Sequence, residues 1–263
     1  MKRFIPFVKN DPTVAVIRLE GAIGVGTRGM SDKGLAPVIE KAFRTKPTAV
    51  ALQINSPGGS AVQSSLIASR IRRLAAEKDV TVVSFVEDVA ASGGYWLACA
   101  GDEIIADRGS VLGSIGVISA GFGLSDLIER YGVERRVHTA GNSKSFLDPF
   151  RPEKEEDVAR LKDILEELHT YFIDHVKSRR GDALAENDEL FSGRVWVGDR
   201  AVEQGLADRI GHLVPVMKDR YGDKVRFRVF GQRRSLLSRI GASLVNDTVQ
   251  AIEERAAYAR FGL

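Results

Sequence analysis

The chain has 263 residues, 44% of them apolar, enough for one large core or at most two small domains. Lys and Arg exceed Asp and Glu by only three (38 against 35), so composition implies no nucleic-acid partner. The single cysteine, Cys99, excludes an intramolecular disulfide framework, and its apolar surroundings from Tyr95 to Ala100 suit a small buried hydrophobe rather than a nucleophile.

Taken in chain order, Met1 to Lys9 carries basic residues but no apolar segment of signal-peptide length. No run of about 18 apolar residues follows, so the expectation is a cytoplasmic protein without a membrane span. Thr13 to Leu19 reads as a first strand, closed by a glycine-rich turn from Gly21 to Gly29. Leu35, Val38, Ile39, Ala42 and Phe43 then recur at helical spacing. Thr48 to Ile54 predicts a second strand, and Val62, Leu66, Ile71 and Leu74 a helix behind it. A third strand, Val80 to Val86, precedes a short helix beginning near Ser92. Glu103 to Ala106, Ile115 to Ser119 and Arg135 to Thr139 are shorter strand candidates. Alternation of strand and helix at this spacing argues for βαβ units and a mostly parallel sheet, an α/β fold.

The spacing predicts a long helix from about Pro152 to Arg180, with Glu153, Glu155 and Glu156 at the positive end of its dipole. A second amphipathic helix is expected over Ser235 to Ala257. Arg233, Arg234 and Arg239 stand beside Leu236, Leu237 and Ile240 there, so residues 233–257 could lie on an anionic membrane surface or pack on protein.

Chemistry concentrates in three stretches. Ala90-Ala91-Ser92-Gly93-Gly94 places a serine at a strand-to-helix turn, where its hydroxyl is exposed and Gly93 offers its own N–H. The same pattern suits a helix N-cap serine. Ser56-Pro57-Gly58-Gly59 follows the second strand directly, and such a turn points successive N–H groups at one spot. Neighbouring parallel strands end on the same sheet edge, which puts Gly59 and Gly93 on either side of one carbonyl oxygen, with Ser56, Pro57 and Gly58 bordering the substrate. The third stretch, Gly141 to Phe150, carries Lys144, a base candidate if its amine is neutral. His138, His169, His175 and His212 leave a histidine base open, since triad order varies among folds.

In order, Ser-Pro-Gly-Gly, Ala-Ser-Gly-Gly-Tyr, Gly-Ser-Ile-Gly-Val and a Lys-Ser element leading into Asp-Pro-Phe resemble the signal peptide peptidase A family. The resemblance covers residues 13–213, and it implies a fold similar to Clp protease and crotonase and a Ser–Lys dyad. It also implies Ser92 as nucleophile, Lys144 as general base, Ser114 as the residue orienting the lysine, and Gly59 and Gly93 as oxyanion donors. No cofactor or metal is implied. The expected organisation is a lead-in over 1–12, a peptidase domain over 13–213 and a C-terminal strand-and-helix extension over 214–263. The family resemblance further implies peptide substrates, including signal-peptide remnants, and a ring or dome of identical subunits, with eight as one candidate number. Two other readings share the fold: a crotonase-like acyl-CoA hydratase or hydrolase, for which Glu87 and Asp88 are the nearby acids, and a scaffold without catalysis.

Overall fold

The computed structural model of the protein describes residues 11–24, 29–141, 143–231 and 255–263. The strands are β1 (Thr13–Glu20), β2 (Ala49–Ser56), β3 (Thr81–Ala91), β4 (Glu103–Ala106), β5 (Val111–Gly113), β6 (Val195–Val197), β7 (Arg209–Ile210) and β8 (Arg226–Phe230). They form one sheet in the order β6-β5-β3-β2-β1-β8, with β4 pairing β3 and β7 beside that path. Every pairing is parallel except β5 with β6.

The helices are α1 (Asp32–Arg44), α2 (Ala61–Lys78), α3 (Gly93–Ala98), α4 (Ser125–Arg130), α5 (Glu155–Arg180), α6 (Gly198–Glu203) and α7 (Leu213–Tyr221). Strands β1 to β3 are apolar on both faces, as a parallel sheet covered on both sides demands. Ala15, Ile17, Leu19, Val50, Leu52, Ile54, Val82 and Val86 share a core with α1, α2, α3 and α5. Val14, Val16, Ala49, Ala51, Val83 and Phe85 face the other way, against Val216 and Met217 of α7.

Several expectations change in detail. β3 runs past Val86 to Ala91, because Gln53 and Asn55 of β2 bond the carboxylates of Glu87 (2.6 Å) and Asp88 (2.5 Å), which lets an acidic pair stay in the strand. The register there shifts: Ile54 opposes Val86, but Ser56 opposes Ala90. Neither Ile115 to Ser119 nor Arg135 to Thr139 forms a strand; β6 takes the edge beside β5 that the former would need. α5 begins at Glu155 rather than Pro152, since a turn closed by the Arg151 N–H on the Asp148 carbonyl precedes it (3.1 Å). Most of the expected C-terminal helix, with Arg233, Arg234 and Arg239, lies outside the described residues. Its last residues are described: 255–259 are helical, and Tyr258 and Phe261 pack on Val89, Ala91 and Val111 of the chain's own sheet.

The last turn of α5 is tied to the sheet by an ion pair between a buried arginine and a partly exposed aspartate. Arg180 donates to both carboxylate oxygens of Asp208 (3.0 and 2.9 Å) and to the Gly205 carbonyl (2.9 Å), while Asp208 also accepts from the Ile104 N–H at 2.6 Å. Losing Arg180 removes the buried donor of the Gly205 carbonyl, while water still reaches the Asp208 carboxylate, so Arg180→Met is expected to cost about 2 kcal/mol in denaturant unfolding. A loss below about 1 kcal/mol, the range of a surface pair, would show that the pair is not structural.

Candidate active site

β3 delivers Ser92 to the start of α3 in a backbone conformation (φ 52°, ψ −123°) that an L-residue adopts only under strain. A sharp strand-to-helix turn of this kind presents a side chain clear of the backbone. Ser92 caps no helix N–H with its hydroxyl, which disposes of the N-cap reading. The turn is held from below: the Ser92 N–H donates to the Gly113 carbonyl at 2.8 Å, and its own carbonyl accepts from Tyr95 (2.9 Å) and Trp96 (3.1 Å).

Around this serine the glycines are steric requirements. A Cβ on Gly58 would lie 2.8 Å from the Ser92 Cβ and 2.8 Å from the Gly93 nitrogen. On Gly59 it would sit 2.1 Å from the Ile23 carbonyl oxygen, and on Gly94, 2.3 Å from the Ser56 carbonyl oxygen. The Pro57-Gly58-Gly59 turn therefore presses directly on the Ser92-Gly93-Gly94 turn. Ser56 is buried and shapes the first of these turns from inside: its hydroxyl donates to the Gly21 carbonyl (2.7 Å) and accepts from the Gly58 N–H (3.2 Å). Ile23 fixes the other side, donating to the Gly58 carbonyl and accepting from the Ser60 N–H, both at 2.8 Å. Among the described residues the N–H groups of Gly59 and Gly93 have no acceptor, and the Gly59 nitrogen is 3.4 Å from the place a Gly93 Cβ would occupy. Two unspent donors thus flank one serine hydroxyl, the arrangement that stabilises a developing oxyanion.

Ser114 stands next door. β3 and β5 pair Ala91 with Gly113, so the residues that follow, Ser92 and Ser114, leave adjacent strand ends, and Ser114 also has a positive φ of 51°. Its N–H donates to the Arg194 carbonyl at 2.8 Å. Lys144 is exposed, in a turn fastened to α5 by Arg160, which donates to the Ser143 hydroxyl (2.5 Å), and by Asp157, which accepts from the Leu147 N–H (3.4 Å). No hydrogen bond among the described residues joins the Lys144 amine to Ser92 or Ser114 within one copy of the chain. The structure thus brings Ser92, Gly58, Gly59, Gly93 and Ser114 together and leaves Lys144 on the surface.

The other candidates are occupied elsewhere. His169 and His175 each face a backbone carbonyl, of Ile115 (3.1 Å) and Trp96 (3.2 Å), while His212 lies 3.6 Å from Asp107 and His138 is exposed. His175 also stacks on the Trp96 ring at 4.4 Å, and burial holds its pKa below the usual histidine value. Burial pushes the Cys99 thiol up to about 12, which leaves no thiolate nucleophile. Sequence reasoning missed the tail: the Tyr258 hydroxyl donates to the Asn55 carbonyl at 2.8 Å, next to the Ser56 turn. It also missed the contacts of α5 with the site, because carbonyl acceptors carry no sequence signal.

A serine on a strained turn with two free backbone donors beside it is an arrangement suited to acyl transfer, here on a mostly parallel α/β sheet. The fold is that of a membrane-bound stomatin-specific protease, 1510-N, whose solved structure superposes with a TM-score of 0.55 over 92% of this chain and 98% of that one at 16% identity. That places the chain on the Clp protease/crotonase-like architecture. The model of peptidase family S49 matches residues 73–221, and a putative protease of Synechocystis sp. is 35% identical over 75% of this chain and 69% of its own length. The chain belongs to peptidase family S49. A Brucella melitensis protein named Na(+)/H(+) antiporter NhaA is 47% identical over all of this chain, which spans 39% of that protein's length.

Strain at Ser92 gives a test that does not depend on substrate. Glycine tolerates φ 52° and alanine does not, so Ser92→Gly is expected to be more stable than Ser92→Ala by about 1 kcal/mol. The reverse order in thermal or denaturant unfolding would mean that the turn is not strained.

Proposed function

We propose that this S49 peptidase is a serine endopeptidase with Ser92 as nucleophile and Lys144 as general base. The observation that carries the reading is the pair of unspent N–H groups, Gly59 and Gly93, on either side of the Ser92 turn. Neutral Lys144 takes the Ser92 proton as Oγ attacks a peptide carbonyl, and the oxyanion rests on the two N–H groups. The lysinium then returns its proton to the leaving amine, and water repeats the cycle on the acyl-enzyme. Ser114 orients the lysine in this scheme, and Pro57 and Gly58 border the bound peptide. The catalytic unit is residues 13–213, with 214–263 as an extension whose strand β8 joins the sheet beside β1.

Assembly of identical copies brings amine and hydroxyl together in this proposal. The segment that carries Lys144 is unusually bare, with Ile118, Phe122, Leu127, Tyr131 and Val133 exposed, and a second copy would cover them. The substrates are signal-peptide remnants and other membrane-derived or unfolded polypeptides, met at the cytoplasmic face of the membrane. Support for a membrane setting comes from the longer Brucella protein named as an antiporter, part of which matches this whole chain. Among the described residues no helix is long and apolar enough to cross a membrane. Glu87 and Asp88, the acids that an acyl-CoA hydratase would need, are engaged by Gln53 and Asn55, so that reading gains no support.

Unfolded casein and short fluorogenic peptides, incubated with wild type, Ser92→Ala and Lys144→Ala from about pH 6 to about pH 10, test the proposal. Both variants are expected to lose roughly a thousandfold or more. Activity should elute with the assembled form in size-exclusion chromatography. Activity surviving in Ser92→Ala would remove Ser92 as nucleophile.

A further inference from the structure

Helix α5 touches the Lys144 turn, the Ser114 turn and the end of α3. Near its start, Asp157 and Arg160 hold the Lys144 turn. Near its end, His175 donates to the Trp96 carbonyl of α3, and Arg179 to the carbonyls of Cys99 (2.8 Å) and Gly101 (2.9 Å) just beyond α3. Between them His169 faces the Ile115 carbonyl at 3.1 Å. His169, Phe172 and Val176 recur at i, i+3 and i+7, so they share one face, and the last two are buried in the core.

The Ile115 carbonyl is the one by which the Ser114 turn meets α5. On the sheet side the turn is already pinned, by Ser92 donating to Gly113 and Ser114 donating to Arg194. Ser114 sits at φ 51°, a conformation that persists only where its surroundings determine it. A carbonyl can only accept, so His169 must carry its proton on Nε2 there, as a donor. The geometry points to His169 as a positioning residue: its Nε2–H, clamped on the Ile115 carbonyl, holds the strained Ser114 turn at the distance from Ser92 at which Ser114 can orient the catalytic amine. This inference rests on the Ser92–Lys144 reading of the site. His169 touches neither substrate nor a reacting atom, so it acts on geometry alone.

Glutamine places an N–H donor the same number of bonds from Cα as Nε2 of histidine, whereas leucine fills similar space without one. His169→Leu is therefore expected to lower kcat about tenfold, a loss equivalent to about 1.4 kcal/mol, with KM unchanged within about twofold, while His169→Gln recovers most of the rate. Thermal unfolding of all three proteins is recorded alongside, and the expected melting temperatures agree closely. A wild-type kcat in His169→Leu overturns the inference. So does an equal loss in both variants, or a loss that follows the melting temperature, since either would mean that His169 only fills or stabilises the core. Ser92→Ala, assayed in the same series, separates the two levels: if it stays active the dyad reading itself fails, and if it is inactive while His169→Leu is normal only the positioning role does.

Discussion

Two backbone turns at the ends of neighbouring strands press together so closely that side chains are excluded from both. The turn after β2 and the turn after β3 leave less than van der Waals room for a Cβ at Gly58 or Gly94, and Ile23 closes the space at Gly59. Everything else in the site follows from that approach. It keeps the N–H groups of Gly59 and Gly93 near each other and without partners, and it forces Ser92 into a conformation that lifts its hydroxyl off the backbone. The strain and the two unmet donors cost stability in the free enzyme; a bound oxyanion would satisfy the donors.

The parallel sheet is what makes the approach reproducible. β2 and β3 are central strands buried on both faces, so their register is fixed by packing on two sides at once. The irregularity between Ile54 and Ser56 sits just before the site and lets β3 run on until Ala91 pairs with Gly113 of β5. That pairing is what sets Ser114 beside Ser92. Each of the four histidines is exposed, faces a backbone carbonyl or lies near Asp107.

Much of this was readable in the residues because it is written in local chemistry. Apolar runs marked β1, β2 and β3, and Pro-Gly-Gly and Ser-Gly-Gly marked glycine-dependent turns. The proximity of the two turns followed from strand adjacency in a parallel sheet. What escaped was settled between elements. Glu87-Asp88 looked like the end of a strand, yet side-chain amides from β2 accept it into the ladder. Ile115 to Ser119 has strand-forming residues, but β6 holds the edge of β5 beside it, which illustrates how far β-propensity depends on context. Pro152 suits a helix start, but the turn ending at Arg151 delays the helix to Glu155. The links from α5 to Ile115 and Trp96 end on carbonyl oxygens, which every residue possesses and no motif reveals.

The central claim is that Ser92 is the nucleophile of this site. Treating the folded protein with a phosphonylating serine reagent and mapping the added mass by peptide mass spectrometry addresses it without any assumption about the natural substrate. The account predicts a single modified peptide containing Ser92, and much slower labelling in Lys144→Ala. Label on another serine, or equal labelling of the folded and unfolded protein at many sites, would contradict it.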